Sequence, residues 1–449
     1  MQPNVARWFN QLEPRRAAAP LEMTMLGRAW SPTWRARVLV GLFLIGLVPR
    51  LALLAARADS LEFWEYETLA RNIAAGNGYV ISRFGHLTLA FGDGNLYSFL
   101  AGTLYAVVGN APLALAMVQA VLAALTAPVI FALGERALGG PVAMLGAGLA
   151  ATHPGLLAYT LKLHPLGLDV LLLSLVVYWT TRPRWTHRGT LQTGLTLGLN
   201  LMARPTFFLA GLAALSMRWL ARRASSRQAI AVVLIAIAVG MPWIARNWTF
   251  VGRPMLMSTA FEDVWKGNNP MSSGSGMLAP GRSVLDAAPT QLSDRIWHSD
   301  ELQLNDLFVG ETISFVRDQP EQFAMLFARK FAYFWWLPER AGLLYPSSWL
   351  AVYQVYSILV DTFAVVGAIA ILRAGSREAR HLVATLAATA LTLALVHALA
   401  YVEGRHRWGI EPLFMLLTAQ GIVVSAGMLR GLGARNHSRV LWRRGQIER

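Results

Sequence analysis

The sequence predicts an all-α polytopic membrane protein with about ten transmembrane helices. The first observation is composition: 55% of the 449 residues are hydrophobic and 14% are charged. Soluble proteins are usually about 45–50% apolar and about 25% charged. The second observation is that the apolar residues fall into runs of about 20, the length that crosses a bilayer as a helix. Together these two observations exclude a soluble enzyme.

The net charge of +15 is typical of nucleic-acid-binding proteins, but membrane proteins also collect basic residues in their cytoplasmic loops. Here the basic residues are spread over several short loops and are not gathered on one face, which argues against nucleic acid as a partner. The chain contains no cysteine, which excludes a disulfide, a thiolate metal site and a catalytic thiol.

Ten apolar segments are interpreted as transmembrane helices. They are residues 36–56, 111–133, 141–160, 165–181, 189–203, 205–220, 228–245, 349–372, 381–400 and 409–430. Segments 189–203 and 205–220 are short, so we expect tilt, local thinning of the bilayer or burial behind neighbouring helices. Residues 96–108 have about 13 apolar positions, below the ~17 usually needed to cross.

The distribution of arginine decides the role of residues 96–108. If this segment lies in the membrane interface, the basic N-terminus, the loops 182–188 and 218–227 and the C-terminal tail all share one side, as the positive-inside rule requires. We therefore expect both termini in the cytoplasm and an amphipathic interfacial helix at 96–108. The external face then carries the first loop, a turn at Lys162–His164, and the long segment after the seventh span.

The predicted organisation has five parts. They are a cytoplasmic N-terminal segment 1–35 that precedes an uncleaved anchor, a transmembrane module 36–246 with its first external loop 57–110, a large external region 247–348 with interfacial helices, C-terminal transmembrane helices 349–430, and a basic cytoplasmic tail 431–449.

Two features are predicted inside the large external region. Its KGNNPMSSGSG run at 266–276 favours a flexible or turn-forming segment. Asp318 to Glu321 has the pattern of a helix start with Asp318 as N-cap, and the apolar spacing that follows predicts a helix on the membrane surface.

Acidic residues are concentrated just after the first predicted span. Asp59, Glu62, Glu65 and Glu67 fall within nine residues. In a helix, Glu62, Glu65 and Tyr66 would share one face. Glu62 is then a candidate general base that takes a proton from a hydroxyl group. The alternative interpretation is a solvated acidic loop without chemistry.

The stretch from Glu62 to Arg71, followed by Gly76-Asn-Gly78-Tyr79, resembles the first external loop of membrane glycosyltransferases of the GT-C fold. The most similar branch is the bacterial, lipid-carrier-dependent one that includes protein O-mannosyltransferases and the lipid A aminoarabinose transferase. Its pattern is an acid, a Tyr four residues later, an Ala four residues after that, and then Gly-x-Gly-aromatic. In this register the family's essential acid falls on Glu62.

Three further pieces of the chain are similar to family motifs in the same order. They are Arg204-Pro205; Pro242-Trp243-Ile-Ala-Arg246-Asn247 with the later Gly267-Asn268; and Glu403-Gly-Arg405-His406-Arg407, which is similar to an external Glu-x-Arg-Tyr-Arg turn. Together the resemblance covers roughly residues 36–430. The sequence departs from the family at two places: His164 replaces the carboxylate of the second external loop, and Gly94-Asn-Leu-Tyr97-Ser replaces a Pro-Pro-Gly-Tyr-Pro run.

The resemblance implies a hexosyl- or pentosyltransferase with a polyprenyl-phosphate sugar donor. The acceptor would be a glycan, lipid or protein, membrane lipid would be a further partner, and the active site would face the periplasm from the bacterial inner membrane. Glu62 would deprotonate the acceptor in one inverting displacement. Glu62→Gln would then abolish transfer, and Glu65→Gln and Asp59→Asn would be milder.

Further substrate contacts follow from the same resemblance. Guanidinium groups suit the leaving phosphate because they bind its oxygens in pairs. The substrate-binding candidates are Glu65, Tyr66, Arg204, Arg246, Lys266, Asn268, Arg405 and Arg407. His164 either orients the acceptor or shares its proton, or it satisfies a backbone carbonyl at a helix start.

No cofactor is expected. A divalent metal would require Glu62, His164 and Asp169 to converge, and the sequence has no ligand-spacing motif. Asp169 either has a functional role or pairs with Lys162 or a helix end.

Two other functions were considered. In a transporter or flippase, His153, Asp169 and Arg204 would line a pathway, although the chain shows no repeat symmetry of the kind transporters have. A non-catalytic partner in envelope assembly is the third alternative.

Overall fold

The computed structural model describes residues 31–279, 281–335 and 346–447, with side chains up to residue 430. Most of the predicted N-terminal segment and the last two residues of the predicted tail lie outside the described residues, and the side chains of the tail are not described. The described chain is almost entirely helical. Its helices are α1 Pro32–Arg57, α2 Glu65–Ala74, α3 Asn95–Val108, α4 Pro112–Ala124, α5 Thr126–Leu138, α6 Gly140–Ala151, α7 Pro154–Ala158, α8 Leu166–Thr180, α9 His187–Ala203, α10 Pro205–Leu220, α11 Ser226–Val251, α12 Ala260–Lys266, α13 Thr290–His298, α14 Glu301–Asp318, α15 Pro320–Trp335, α16 Ser347–Ala374, α17 Arg377–Leu399, α18 Gly404–Trp408 and α19 Glu411–Ile447.

The β-structure of the described residues is limited to two antiparallel hairpins. One pairs β1 (Ile81–Arg83) with β2 (His86–Thr88), and the other pairs β3 (Met277–Ala279) with β4 (Arg282–Ser283). Both belong to segments that connect membrane helices.

Seven stretches of the described chain are long and apolar enough to cross a membrane. They are Pro32–Ser60, Pro112–Leu138, Gly140–Leu161, Ser226–Val251, Ser347–Ala374, Arg377–Leu399 and Glu411–Arg430. The protein is therefore a polytopic membrane protein, as predicted. A helix is present at each of the ten predicted segments. That the short helices α8, α9 and α10 also cross the membrane stays a prediction.

Small residues bring membrane helices α16 and α19 into close contact. A Cβ atom at Gly367 would overlap the carbonyl oxygen of Leu417, and one at Gly421 would overlap that of Phe363. Because lipid offers no hydrophobic force between helices, such close backbone approach is a principal source of their association. These two glycines therefore fix how the two helices cross.

A buried polar cluster joins the end of α6 to the C-terminal helices. His153 Nε2 lies 2.5 Å from Glu411 Oε2, and Tyr353 donates to the same carboxylate. Arg407 binds Glu411 through Nε (2.7 Å) and Asp361 through Nη2 (2.7 Å). Charges buried in this way persist only when they are paired, so His153 and Arg407 have structural roles here.

The loop between α1 and α4, predicted above to be the first external loop, folds together with the segment after α11. Glu301, at the start of α14, accepts hydrogen bonds from the backbone N–H groups of Leu89 and Ala90, both at 2.7 Å. It also accepts one from Ser258 Oγ at 2.6 Å. The Ser258 N–H donates to the Ala90 carbonyl at 2.8 Å. One carboxylate thus fixes the two loops against each other.

The segment after α11 has a hydrophobic core of its own. This core contains Trp265, Val284, Leu292, Ile296, Leu304, Leu307 and Phe308. Helix α15 begins at Pro320 and not at Asp318, because Asp318 is the last residue of α14 and pairs with Arg317 (2.8 Å).

The Gly/Asn/Ser-rich run forms a buried turn. The Nζ atom of Lys330, on α15, donates to the Gly267 carbonyl (3.0 Å), Asn268 Oδ1 (2.7 Å) and the Ala400 carbonyl (2.9 Å). A Cβ atom at Gly267 would overlap the carbonyl of Ala400, so only glycine fits there. The turn-forming alternative is therefore correct, and this turn connects the external segment to the end of α17.

Replacing Glu301 with Ala tests the connection between the loops. The change leaves the buried Ala90 N–H and the partly buried Leu89 N–H without an acceptor, and an unpaired buried group costs about 1–3 kcal/mol. We expect a lower thermal midpoint in detergent and faster amide hydrogen exchange over residues 86–92. The matched control is Glu311→Ala, because Glu311 forms an ion pair with Arg295 (2.9 Å) at a more exposed position. Its loss is expected to stay below about 1 kcal/mol, and equal effects of the two changes would contradict the structural role of Glu301.

Candidate active site between the external loops

A cavity of about 490 Å³ lies between the first external loop and the segment after α11. Its walls come from the start of α2, the turn before α3, the α9–α10 junction, α12 and the turn before α18. Five acidic and four basic residues line it: Glu65, Asp93, Glu262, Asp263, Glu403, Arg83, Arg204, Lys266 and Arg405. Such a density of charge in a concave site indicates a binding or catalytic function.

Arg204 enters the cavity because a proline follows it. Residues before proline avoid the α-helical region, and Arg204 accordingly has an extended backbone (φ −155°, ψ 105°) between α9 and α10. Its Nε donates to Asp169 Oδ2 at 2.7 Å, and its Nη1 lies 2.9 Å from Asp93 Oδ2. The hydroxyl of Tyr66 donates to the other oxygen of Asp93 at 3.0 Å. Asp169 therefore pairs with Arg204 and not with Lys162.

Glu65 is the first residue of α2 and lies half-buried at the cavity wall. Among the described residues it takes part in no ion pair, whereas Asp93, Glu262 and Asp263 are all paired with bases. Enclosure in the cavity raises the pKa of Glu65, and its backbone N–H and the charge of Arg405 oppose that rise only in part. Glu65 is thus an unpaired carboxylate with increased proton affinity.

Helix α12 supplies a charged triplet. Lys266 Nζ lies 2.9 Å from Glu262 Oε1 and 3.1 Å from Asp263 Oδ1. Arg83, on β1, binds the same oxygen of Glu262 at 2.8 Å. Although burial alone would raise the pKa of Glu262, Lys266 and Arg83 hold it at about 2. Glu262 is therefore ionised, and it connects the first external loop to α12.

The turn before α18 brings Glu403 and Arg405 to the cavity. Glu403 Oε1 accepts a hydrogen bond from Ser275 Oγ at 2.5 Å. Burial raises the pKa of Glu403 to about 7, although Arg405 and Ser275 lower it in part. The guanidinium of Arg405 lies 5.3 Å from the centre of the Trp64 ring, and its Nη2 donates to the Tyr401 hydroxyl at 3.0 Å.

Three buried polar atoms of the cavity residues have no hydrogen-bond partner in the described part of the chain. They are Glu262 Oε2, Glu403 Oε2 and Arg204 Nη2. Leaving such groups unpaired is costly. The cavity therefore offers two acceptors and one donor to a polar ligand.

Five of the ten predicted site residues line this cavity: Glu65, Tyr66, Arg204, Lys266 and Arg405. Glu62 does not line it. The expectation that Glu62 shares a helix face with Glu65 was wrong, because α2 begins only at Glu65. Residues before it are extended: the Glu62 N–H donates to the Leu161 carbonyl (2.8 Å) and its carbonyl accepts from the Leu163 N–H (2.9 Å). The exposed side chain of Glu62 forms an ion pair with Lys162 instead.

His164 lies behind the cavity wall and not in it. It is buried against Trp64 and Tyr66, with ring centroids 5.0 and 5.3 Å away. Its Nδ1 accepts from the Leu166 N–H at 3.1 Å, so at the start of α8 it binds a backbone N–H and not the backbone carbonyl expected from the sequence. Burial, Arg204 and Arg405 lower the pKa of His164, so the ring is neutral and supports the aromatic wall.

Arg246, Asn268 and Arg407 are occupied by the protein itself. Arg246 donates to the carbonyls of Leu89 and Tyr79 (3.0 Å to the latter) and so holds the first external loop. Asn268 donates to the carbonyls of Val264 and Leu399, both at 2.7 Å, and Arg407 belongs to the buried cluster with Glu411. These three motif residues therefore bind other parts of the protein and do not line the cavity.

Sequence reasoning did not select Arg83, Asp93, Glu262, Asp263 or Glu403 as site residues. One local signal was present: Glu262 and Lys266 are four apart in a helix, the spacing of an ion pair. The sequence spacing gives no sign that Asp93 pairs with Arg204, because the two residues come from distant segments of the chain. Among the described residues, no group of three or more His, Asp or Glu side chains is arranged to hold a metal ion.

No protein-family model matches the sequence, and no curated protein matches it. Solved structures do match. The oligosaccharyltransferase AglB of Archaeoglobus fulgidus, in complex with an inhibitory peptide and a dolichol-phosphate, is 15% identical; the match covers 91% of this chain and 52% of that chain, with a TM-score of 0.49. The apo form of the A. fulgidus oligosaccharyltransferase is 13% identical over 92% and 53% of the two chains, with a TM-score of 0.47.

A third match is ArnT from Cupriavidus metallidurans bound to undecaprenyl phosphate. It is 14% identical over 85% of this chain and 78% of that chain, with a TM-score of 0.41. This chain spans about half the length of the archaeal chains. The chain is thus similar in structure to lipid-carrier glycosyltransferases of the GT-C fold, the class that its motifs resemble.

The pKa of Glu403 predicts a pH-dependent stability. Its pKa is about 7 in the folded state against an ordinary 4.5, so the folded state binds a proton that the unfolded state has released. Stability from this group is complete below about pH 4.5 and is lost as pH rises to about 7, a change on the order of 3 kcal/mol. We expect Glu403→Gln to match the wild type near pH 4.5 and to have the higher thermal midpoint at pH 8. Exposed Glu321→Gln is the control, and a constant difference between Glu403→Gln and wild type across this range would contradict the assignment.

Proposed function

We propose that this protein is an integral-membrane glycosyltransferase of the lipid-carrier-dependent kind. It would transfer a sugar from a polyprenyl-phosphate donor to an envelope glycan, lipid or protein on the periplasmic face of the bacterial inner membrane. One observation carries the proposal: the segments that resemble four family motifs, far apart in sequence, surround a single charged cavity. Glu65 and Tyr66, Arg204, Lys266 beside the Gly-Asn turn, and Arg405 each contribute a wall.

The basic side chains suit the leaving group. A polyprenyl phosphate departs as an anion and needs cationic stabilisation as charge develops, but no proton. Arg405 is the candidate for this contact because a guanidinium offers paired donors to phosphate oxygens. Lys266 on the neighbouring wall supplies a point charge. The aromatic face of Trp64 beneath Arg405 orients the guanidinium.

Glu65 is the proposed general base. Glu65 and Glu403 are the two cavity carboxylates with a raised pKa and no ion-pair partner among the described residues. Glu65 is the more accessible of the two, because Glu403 is 1% exposed and accepts a hydrogen bond from Ser275 Oγ. The acceptor hydroxyl gives its proton to Glu65 as its oxygen bonds to the anomeric carbon. The bond from that carbon to the phosphate oxygen breaks, the electron pair leaves with the phosphate, and the configuration inverts. Asp93 binds both Tyr66 and Arg204 and thereby fixes the cavity wall that carries Glu65.

The unpartnered oxygens of Glu262 and Glu403 support a sugar as ligand. Hydroxyl groups of a sugar ring are hydrogen-bond donors, and these two buried acceptors are suited to receive them. Arg204 Nη2 is the complementary donor. The transporter alternative has less support, because His153 pairs with Glu411 while Asp169 pairs with Arg204, so the residues proposed to line a pathway belong to separate clusters.

The decisive experiment measures lipid release by the purified protein from a panel of polyprenyl-phosphate sugars. We expect Glu65→Gln to lower the rate about 10²–10⁴-fold, the usual contribution of a well-placed base, with thermal midpoint and donor binding unchanged. Glu62→Gln is the matched control, since Glu62 lies outside the cavity, and we expect it to retain most activity. An inactive Glu62→Gln beside an active Glu65→Gln would return the role to Glu62. No release by wild type with any donor and acceptor would contradict the function itself.

The raised pKa of Glu65 also predicts a pH profile. A general base works only when it is deprotonated, so kcat/KM should rise with pH through a pKa above the ordinary carboxylate value of about 4.3. The residual activity of Glu65→Gln should lack this inflection. If the Gln variant keeps the same acidic limb, another group is the base.

A further inference from the structure

A second cavity lies at the far end of α10 from the candidate active site. Helix α10 starts next to Arg204 and runs for 16 residues, which is about 24 Å at 1.5 Å per residue. The turn between α10 and α11 encloses about 730 Å³, lined by Trp219, Arg222, Arg223, Ser225 and their neighbours. No residue of the candidate active site lines this second cavity.

An apolar groove adjoins this basic turn. It measures about 500 Å³ and is lined by Leu215 and Trp219 of α10 and by Ile230 and Leu234 of α11. Trp219 and Ser226 line both spaces, and the Trp219 indole donates to Ser226 Oγ at 3.1 Å. Basic turn and apolar groove thus form one continuous surface with a polar end and an apolar end.

We propose that this surface binds an anionic phospholipid of the surrounding bilayer. The phosphate would lie at Arg222 and Arg223, and an acyl chain would lie in the groove between α10 and α11. Basic pockets at the ends of transmembrane helices are suited to acidic headgroups. By the positive-inside rule this end of α10 faces the cytoplasm.

The backbone of Arg222 supports a ligand role for its side chain. Arg222 has φ +55°, in the left-handed region. A residue that ends a helix in this conformation is usually glycine, because any side chain is strained there. The strain is retained at a position whose guanidinium borders the basic cavity. Residues held in such conformations cluster at ligand-binding sites.

The neighbouring charges leave the turn strongly positive. The Arg223 side chain is 10% exposed and forms an ion pair with Glu378 at the long distance of 3.6 Å, and no acidic residue lines either space. Arg218 serves the fold instead: it donates to the carbonyls of Thr180 (2.9 Å) and Arg182. Exposed Arg222 is therefore the cation placed for direct contact with an external anion, and Arg223 adds positive charge behind it.

The groove identifies the ligand as a lipid. Ile230 and Leu234 are 58% and 60% exposed, and Trp219 is 47% exposed, on helices of a membrane protein. Tryptophan at this position is typical of the headgroup level of a bilayer. A soluble anion would use only the turn, whereas a phospholipid satisfies both the arginines and the apolar groove.

The test uses the purified, delipidated full chain in detergent, with bound lipid counted by native mass spectrometry. Phosphatidylglycerol and phosphatidylcholine with identical acyl chains are titrated against it. We expect a preference for phosphatidylglycerol, with roughly a fivefold contribution from each arginine. The double variant Arg222→Gly, Arg223→Gln should lose this preference while its thermal midpoint is maintained, because glycine suits the backbone at 222.

Two further variants separate the parts of the site. Arg227→Gln is the matched control, since Arg227 is a nearby arginine that lines neither space, and its lipid preference should be unchanged. Ala229→Phe fills the groove and should weaken binding of both lipids. Equal binding of the two lipids by wild type, an unchanged preference in the double variant, or full competition by inorganic phosphate at equal concentration would each overturn the proposal.

Discussion

The geometry of the candidate site depends on one buried guanidinium. Arg204 joins Asp169 on helix α8 to Asp93 in the first external loop, at 2.7 and 2.9 Å. Removing a single partner from a buried ion pair strands a charge in a medium of low polarity, so the three groups hold one another in place. The Gly94 N–H beside them donates to the Ala203 carbonyl at 2.7 Å. These contacts fix the first external loop to helices α8 and α9, and they hold the cavity walls in place.

Neither external segment forms the cavity alone. The first loop supplies Glu65, Asp93 and Arg83, while the second supplies α12 and the buried Gly-Asn turn. Besides apolar contacts such as that of Phe84 with Trp297, the two segments are joined by ionic bonds and hydrogen bonds to backbone, as in the Arg83–Glu262 pair and the contacts of Glu301. Such directional contacts specify a relative position better than apolar packing does. This construction places chemistry on loops while it keeps them ordered, a frequent arrangement in functional sites.

Local patterns predicted most of the architecture, since apolar length and helix-start signals act over a few residues. They located a helix at each predicted span, and also at 96–108. The site residues were harder to predict from the sequence, because a long-range contact decides which acid enters the cavity. Glu62 forms an ion pair with Lys162, which lies 100 positions later in the chain. Because this contact holds Glu62 outside the helix, α2 begins only at Glu65. Likewise, motif spacing marked Arg246 and Arg407 as important, but only their partners reveal that they stabilise backbone and a buried cluster.

The charge balance of the cavity has a consequence for turnover. Its five acids outnumber its four bases by one, so the cavity has no excess of positive charge. In the proposed reaction the donor is a phosphodiester with one negative charge, whereas the departing lipid phosphate is a monoester that carries close to two. While the acceptor's proton stays on Glu65, the total charge in the cavity is the same before and after the transfer. Once that proton leaves, the lipid phosphate and the Glu65 carboxylate are both charged in a cavity without spare cations, so release of the spent carrier would be coupled to release of the proton.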